Sequence, residues 1–188
     1  MYQLKITING INPPIWRRIL VSENITLNKL HHIIQESFGW TNSNLYFFGD
    51  MKSMIGDPGR IEVKEIQSDR LVKIRNVLNP KNPILSYTYD VLMEWVHTIL
   101  LEQVHTSMKT QRKCIGGERQ CPPDDINGIT GFNYVLETMK HPGTTEYKEL
   151  IESIGGKFDP EFIDIRKINS RLALLSKYIK EYETKFSS

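Results

Sequence analysis

The chain has 188 residues, 39% of them hydrophobic and 24% charged, proportions that sustain a packed core and exclude a disordered polypeptide. With 24 basic against 22 acidic residues the formal charge is only +2, so no overall field draws the protein to nucleic acid, an anionic membrane or an acidic substrate. Two cysteines are too few for a disulfide framework.

The opening MYQLKITING lacks a basic region followed by an apolar stretch of signal-peptide length, and no later segment is long and apolar enough to span a bilayer. A cytoplasmic location with reduced thiols and no membrane partner is expected. Tyr2, Leu4, Ile6 and Ile8 alternate with Gln3, Lys5 and Thr7, the period of a strand with one buried face. NGINPP supplies a turn, and IWRRILV resumes an extended run, so the two form a β-hairpin. In the second strand Arg17 is in phase with Ile15, Ile19 and Val21, and Arg18 with Trp16 and Leu20. One guanidinium therefore faces inward and must find a carboxylate or carbonyl partner.

NITLNKLHHIIQESFGW changes period. Leu27, Leu30, His31, Ile34 and Phe38 make one helical stripe, with Thr26 as N-cap and Gly39 as C-terminal stop. His31 and His32 are adjacent and diverge on a helix, so a hydrogen-bonded core histidine is favoured over a metal or catalytic one. A turn and a short aromatic strand follow in GWTNSNLYFFGD. Residues 51 to 82 read as a variable connection, with a turn at MIGDPGR, a strand at IEVKEI and a short helix in LVKIRNVLNPKNP. ILSYTYD and WVHTILLEQVH read as strands. In the second, Trp95, His97, Ile99 and Leu101 share one face and Val96, Thr98, Leu100 and Glu102 the other, which marks a central strand and denies His97 and Glu102 to each other.

CIGGERQCPPDDINGITGF, residues 114 to 132, holds both cysteines. A metal clasp there would use Cys114, Cys121 and His97, with zinc as the fitting ion, but a C-x6-C spacing is a weak signal. A nucleophilic Cys121 would need His97 within hydrogen-bond reach. The favoured reading is scaffold without a cofactor. In it Gly116, Gly117, Pro122 and Pro123 shape an irregular loop, and Arg17 or Arg119 pairs with Asp124 or Asp125.

The remainder reads as helices at TGFNYVLETMKH, capped by Thr130, at TTEYKELIESIGG, and in a long segment begun by FDPEF with Asp159 as cap. There Ile165, Ile168, Leu172, Leu175, Ile179, Tyr182 and Phe186 form a heptad-like seam whose far end offers a surface for self-association or a protein partner.

Five ordered stretches, YQLKITINGINPPIWRRILV, LHHIIQESFGWTNSNLYFF, YTYDVLMEWVHTILLE, CIGGERQCPPDDINGITGF and FDPEFIDIRKIN, resemble the plasmid pRiA4b open-reading-frame-three-like family over about residues 2 to 175. The resemblance implies an α+β fold, in which an N-terminal hairpin and helix pack on a mixed or antiparallel sheet in a β-grasp-like way, followed by a C-terminal helical part. It also implies a mobile-element neighbourhood, from which the family's resolvase label is inherited. Against the family pattern this chain has Val91, Leu92 and Met93 for phenylalanine, glycine and aspartate, Asn44 for a histidine, and Ile126 for a cysteine.

A single domain is expected over 1–188, sheet-forming to about residue 106 and an irregular loop with helices from about 107. Three functional classes follow. The leading one is a noncatalytic interaction or accessory module. The second is a metal-dependent or hydrolytic enzyme around Asp90, His97, Glu102, Cys121 and the 114–125 loop, with Tyr89 and Trp95 as pocket walls. The third is a nucleic-acid binder using Arg17, Arg18 and the Lys109–Lys113 run, with Trp16 or Trp40 for stacking.

Overall fold

The structure is a computed structural model that describes residues 1–61, 66–106, 112–124 and 126–186. Asp125, most of the Lys109–Lys113 run and the middle of IEVKEI lie outside them.

The N-terminal alternation becomes strand β1 (Tyr2–Ile8), which pairs antiparallel with β2 (Trp16–Val21) as a hairpin in register Tyr2↔Val21 to Thr7↔Trp16. Helix α1 (Leu27–Phe38) follows. The Thr26 side chain accepts from the Lys29 N–H, and Gly39 closes the helix in the left-handed region at φ 87°. Strands β3 (Tyr46–Phe48), β4 (Ile55–Gly56) and β5 (Gln67–Ser68), the short helix α2 (Ile74–Val77), and strands β6 (Ile84–Tyr89) and β7 (Trp95–Val104) come next. The cysteine segment starts as strand β8 (Lys113–Glu118) and leads into helices α3 (Gly128–Thr138), α4 (Thr145–Ser153), α5 (Ile165–Ala173) and α6 (Leu175–Phe186).

The eight strands form one sheet in the order β5-β4-β3-β6-β7-β1-β2-β8. It is mixed, because β4 and β5 run parallel while the other pairs are antiparallel. β7 lies inside the sheet, with Trp95, His97, Ile99 and Leu101 buried and the alternate residues half-buried. The buried faces of β1, β2, β6 and β7, the inner side of α1 and residues Phe132, Val135, Ile168, Leu172 and Leu175 join in one hydrophobic core. The fold is therefore α+β, with the hairpin, α1 and the sheet followed by C-terminal helices.

Three details depart from the sequence reading. Residues 113–118 are an edge strand on β2 rather than loop, with a register shift that leaves Ile115 as an extra, exposed residue. Gly117 is needed there by close approach: a Cβ would lie 2.6 Å from Ile163 Cδ1 and 2.9 Å from the Trp16 carbonyl oxygen. The last helical segment is two helices divided at Leu174. Its cap is Asp164, which accepts from the Lys167 N–H, whereas Asp159 holds a turn by accepting from the Glu161 N–H. Finally, α3 starts after Asn127, in the left-handed region at φ 56°, instead of at Thr130.

Candidate ligand-binding site

The sequence predicts one inward arginine on β2, and it is Arg17, 3% exposed; Arg18 points to the outer face. Arg17 finds carbonyls. Its Nε donates to the Ser37 oxygen at 3.1 Å, and its Nη1 to the Trp16 and Glu118 oxygens at 2.8 and 2.9 Å. Its guanidinium lies over the Phe38 ring, with the guanidinium carbon 5.0 Å from the centroid. Nη2 makes no hydrogen bond and no carboxylate pairs with Arg17 among the described residues. Burial holds this guanidinium below its ordinary pKa, and the nearby Arg171 pushes the same way.

Arg17 lies on the wall of a cleft of about 460 Å³, within the range that takes a small molecule. One side is the end of α1 with Phe38, Gly39 and Trp40; the second is the chain from Gln120 to Asp124; the third comes from Phe158, Phe162 and the inward side of α5, with Lys167 and Arg171. Trp40 is fixed from behind. Its Nε1 donates to the Pro122 oxygen at 3.0 Å, its ring stacks on Tyr89 with centroids 4.9 Å apart, and Trp95 and His97 close in at 6.0 and 5.3 Å. Asp124 ties the cysteine segment to the residue after Trp40 by accepting from the Thr41 N–H and hydroxyl, both at 2.7 Å. Its partner is thus α1's exit turn, while Arg119 pairs with Glu161 at 2.8 Å and donates to the Pro13 oxygen.

Arg171 Nε donates to the Glu36 oxygen at 2.8 Å, and the rest of its guanidinium lies flat against Gly39, its Nη2 3.4 Å from where a Cβ would stand. Glycine at position 39 serves the left-handed backbone. Lys157 also lines the cleft.

The cysteines sit on this framework with different roles. Cys114 is fully buried in β8, where the Asn169 side chain brackets its backbone, accepting from its N–H at 2.8 Å and donating to its carbonyl at 2.9 Å. Cys121 is 7% exposed on the cleft wall. Burial pushes both thiols up, Cys121 far above its ordinary value, which makes Cys114 a small neutral core group and Cys121 a small neutral wall group at neutral pH. Among the described residues no set of three or more His, Cys, Asp and Glu side chains is arranged to hold a metal ion.

The remaining candidates are dispersed. His97 is fully buried, with Nδ1 2.8 Å from the Trp95 oxygen, and burial lowers its pKa to about 4. Asp90 is in the β6–β7 turn, where its carboxylate accepts from the Met93 N–H. Glu102 is on the outer face and holds Arg18 through two bonds of 2.6 and 2.8 Å. Trp16, on the same face, donates to Glu118 and has the Lys5 and Arg18 cations over its ring at 4.7 and 4.8 Å, so its stacking surface is already used.

A second polar constellation was invisible in the sequence beyond His31 and His32. Asn28, His31, His32 and Gln35 form a buried polar stripe on α1. His31 stacks on Tyr46 at 3.3 Å and bonds the Tyr87 hydroxyl and Asn42 at 2.8 and 2.6 Å. The Tyr46 hydroxyl donates to the fully buried Asp69 at 2.5 Å, and Asn42 reaches His32 at 3.1 Å. Tyr182 of α6 stands edge-on to His32, 5.0 Å between centroids, and the Arg70–Glu183 pair at 2.6 Å fastens α6 beside it.

Residues 1–167 match the plasmid pRiA4b ORF-3-like protein family, nearly the whole of the described sheet and cleft. The chain belongs to this family. As a pRiA4b ORF-3-like protein it is 26% identical over 175 residues to the uncharacterized protein y4hQ of Sinorhizobium fredii, across 89% of this chain and 88% of that one. It also shares its fold with MM3350 from Methanosarcina mazei Go1, a protein of unknown function whose crystal structure matches with a TM-score of 0.79 at 32% identity, over 88% of this chain and 94% of the other. Among the described residues of this pRiA4b ORF-3-like protein, no helix is long and apolar enough to cross a membrane.

Proposed function

We propose that the protein is a noncatalytic binding module whose ligand sits in the cleft between α1, the cysteine segment and α5. The observation that carries this reading is the cleft itself: about 460 Å³ walled by Phe38, Trp40 and Phe158, with polar groups from three separate elements turned towards it. The hydrolytic alternative has weaker support. Its Cys121 is a protonated thiol, its His97 is a buried neutral ring, and Asp90 and Glu102 lie at the turn and on the outer face of the sheet.

The β1–β2 hairpin followed by α1 over the sheet supports a β-grasp-like arrangement, and the entry of Ile168, Leu172 and Leu175 into the sheet's own core supports a single domain. Two free, buried cysteines fit a reducing, cytoplasmic setting. A role as accessory to a mobile element rests on the family's neighbourhood.

A library of small molecules followed by NMR tests the reading. Binders are expected to shift the Trp40 indole N–H and the Gly39 amide, and to do so equally in Cys121→Ala. A screen in which no compound moves these signals, or a hydrolytic turnover that disappears in Cys121→Ala, would remove it.

A further inference from the structure

Within the binding-module reading just given, we infer that the cleft selects an oxyanion: a small organic acid, carboxylate or phosphate, with an aromatic or apolar body. The first support is charge. Four basic side chains, Arg17, Lys157, Lys167 and Arg171, line the cleft against two acidic ones, Asp124 and Asp164. Both acids are engaged in local structure, Asp124 with the Thr41 N–H and hydroxyl and Asp164 with the Lys167 backbone N–H. Their carboxylates are held by these contacts, and neither pairs with a basic side chain of the cleft among the described residues.

The second support is Arg17. A guanidinium 3% exposed is desolvated, and three neutral carbonyl oxygens offset only part of that cost. Those bonds use Nε and Nη1 and leave the Nη2 donors without a partner among the described residues, on a residue that forms the cleft wall. Such a group gains most from an acceptor that carries charge, because a charge-assisted hydrogen bond is about twice as strong as a neutral one. Arg171 is less buried, its side chain 26% exposed; its Nε donates to the Glu36 backbone oxygen and lies 3.8 Å from the Glu36 carboxylate, a long ion pair that leaves its Nη groups beside Gly39 on the cleft wall. Phe38, Trp40, Phe158, Phe162, Ile163 and Ile168 give the wall its apolar part, beside the polar Ser37 and Gln120, and set the body of the ligand.

Titration of the full-length protein with phenylacetate, phenyl phosphate and neutral phenylacetamide separates charge from shape. Trp40 fluorescence and the arginine side-chain NMR signals serve as readouts. At least one anion is expected to bind about tenfold or more tighter than the amide, a difference near one charge-assisted hydrogen bond. A tighter phenylacetate assigns a carboxylate, and a tighter phenyl phosphate assigns a phosphate. Arg171→Gln is expected to weaken the anions and leave the amide unchanged, and it keeps the test independent of Arg17→Met, in which loss of the buried contacts threatens folding. Equal affinity for amide and anions overturns the oxyanion assignment while leaving a binding cleft in place. Absence of binding by all three probes up to about 10 mM, weaker than any of the affinities ordinarily read as specific, overturns it too; the library screen then decides separately whether the cleft binds at all.

Discussion

The two polar regions flanking α1 treat burial in opposite ways. Along the helix, Asn28, His31, His32 and Gln35 meet Asn42, Tyr46, Tyr87 and Asp69 in a network of mostly neutral groups closed to solvent, in which His32 Nε2, Gln35 Oε1 and Asp69 Oδ1 have no partner among the described residues. At its end, Arg17 and Arg171 remain charged beside an open cleft. Paired polar groups specify packing because each loses its partner if a neighbour moves, whereas Arg17, with no carboxylate partner among the described residues, and Arg171, held only at 3.8 Å by the Glu36 carboxylate, are available for something that arrives.

Acidification tests the closed side with the largest effect. Burial lowers His32 to about 4 and His31 well below its ordinary 6.5, and it lowers His97, which is buried behind Trp40 outside this network, to about 4 as well. A folded value below the unfolded one means that the stability is complete above pH 6.5 and is lost as the pH falls from there towards about 4. Each imidazole contributes a slope of about 1.4 kcal/mol per pH unit in that window, and three give about 4 kcal/mol per unit. Urea midpoints between pH 7 and pH 5 measure it, and His97→Gln is expected to remove roughly a third of the slope. A flat profile would mean that protons reach these rings in the folded state.

Next in size, Tyr46→Phe strips the hydroxyl that donates to Asp69 and receives Asn28, and is expected to cost about 3 kcal/mol in urea unfolding at pH 7. A loss below about 1 kcal/mol, the level of an ordinary exposed hydrogen bond, would show that the network is wetter than described. For the cysteines, a thiol-specific disulfide reagent at pH 7 is expected to react at least about tenfold more slowly with the folded than with the urea-unfolded protein, since burial keeps both thiols protonated. The smallest effect belongs to the open side: Lys157→Gln and Lys167→Gln are expected to change stability by no more than about 0.5 kcal/mol. A large loss from either would make the lysine structural and blur the contrast.

Local periodicity made much of this fold readable. The alternation of β1, the α1 stripe with Thr26 and Gly39, and the two faces of β7 are each written within a dozen residues, and the structure has them. β8 was hidden because Gly116 and Gly117 carry no side chains to alternate and Ile115 is an inserted residue. The α5–α6 division was hidden because the apolar steps of three and four run through Leu174 without interruption, and Ile179 and Tyr182 then pack against the chain's own core and His32. That one of Arg17 and Arg18 faces inward was legible from phase; which one, and its cleft, were not. Lys157, Lys167 and Arg171 join it from more than a hundred residues away, and their only local trace is that Lys167 and Arg171 are four apart on one helix.

The arginines of the cleft are also tied to the last turn of α1. Its Glu36 and Ser37 carbonyls, which have no acceptor role left inside the helix, are received by Arg171 and Arg17 respectively. The helix terminus, equivalent to about half a negative charge, therefore acts with the Glu36 carboxylate as a resident counter-ion of the cleft's arginines. A stronger anion would compete with it, so occupancy would be felt as a slackening of the helix tip. Amide exchange at Gly39 and Trp40, both bonded to the Gln35 oxygen, is where that exchange of counter-ions would first be heard.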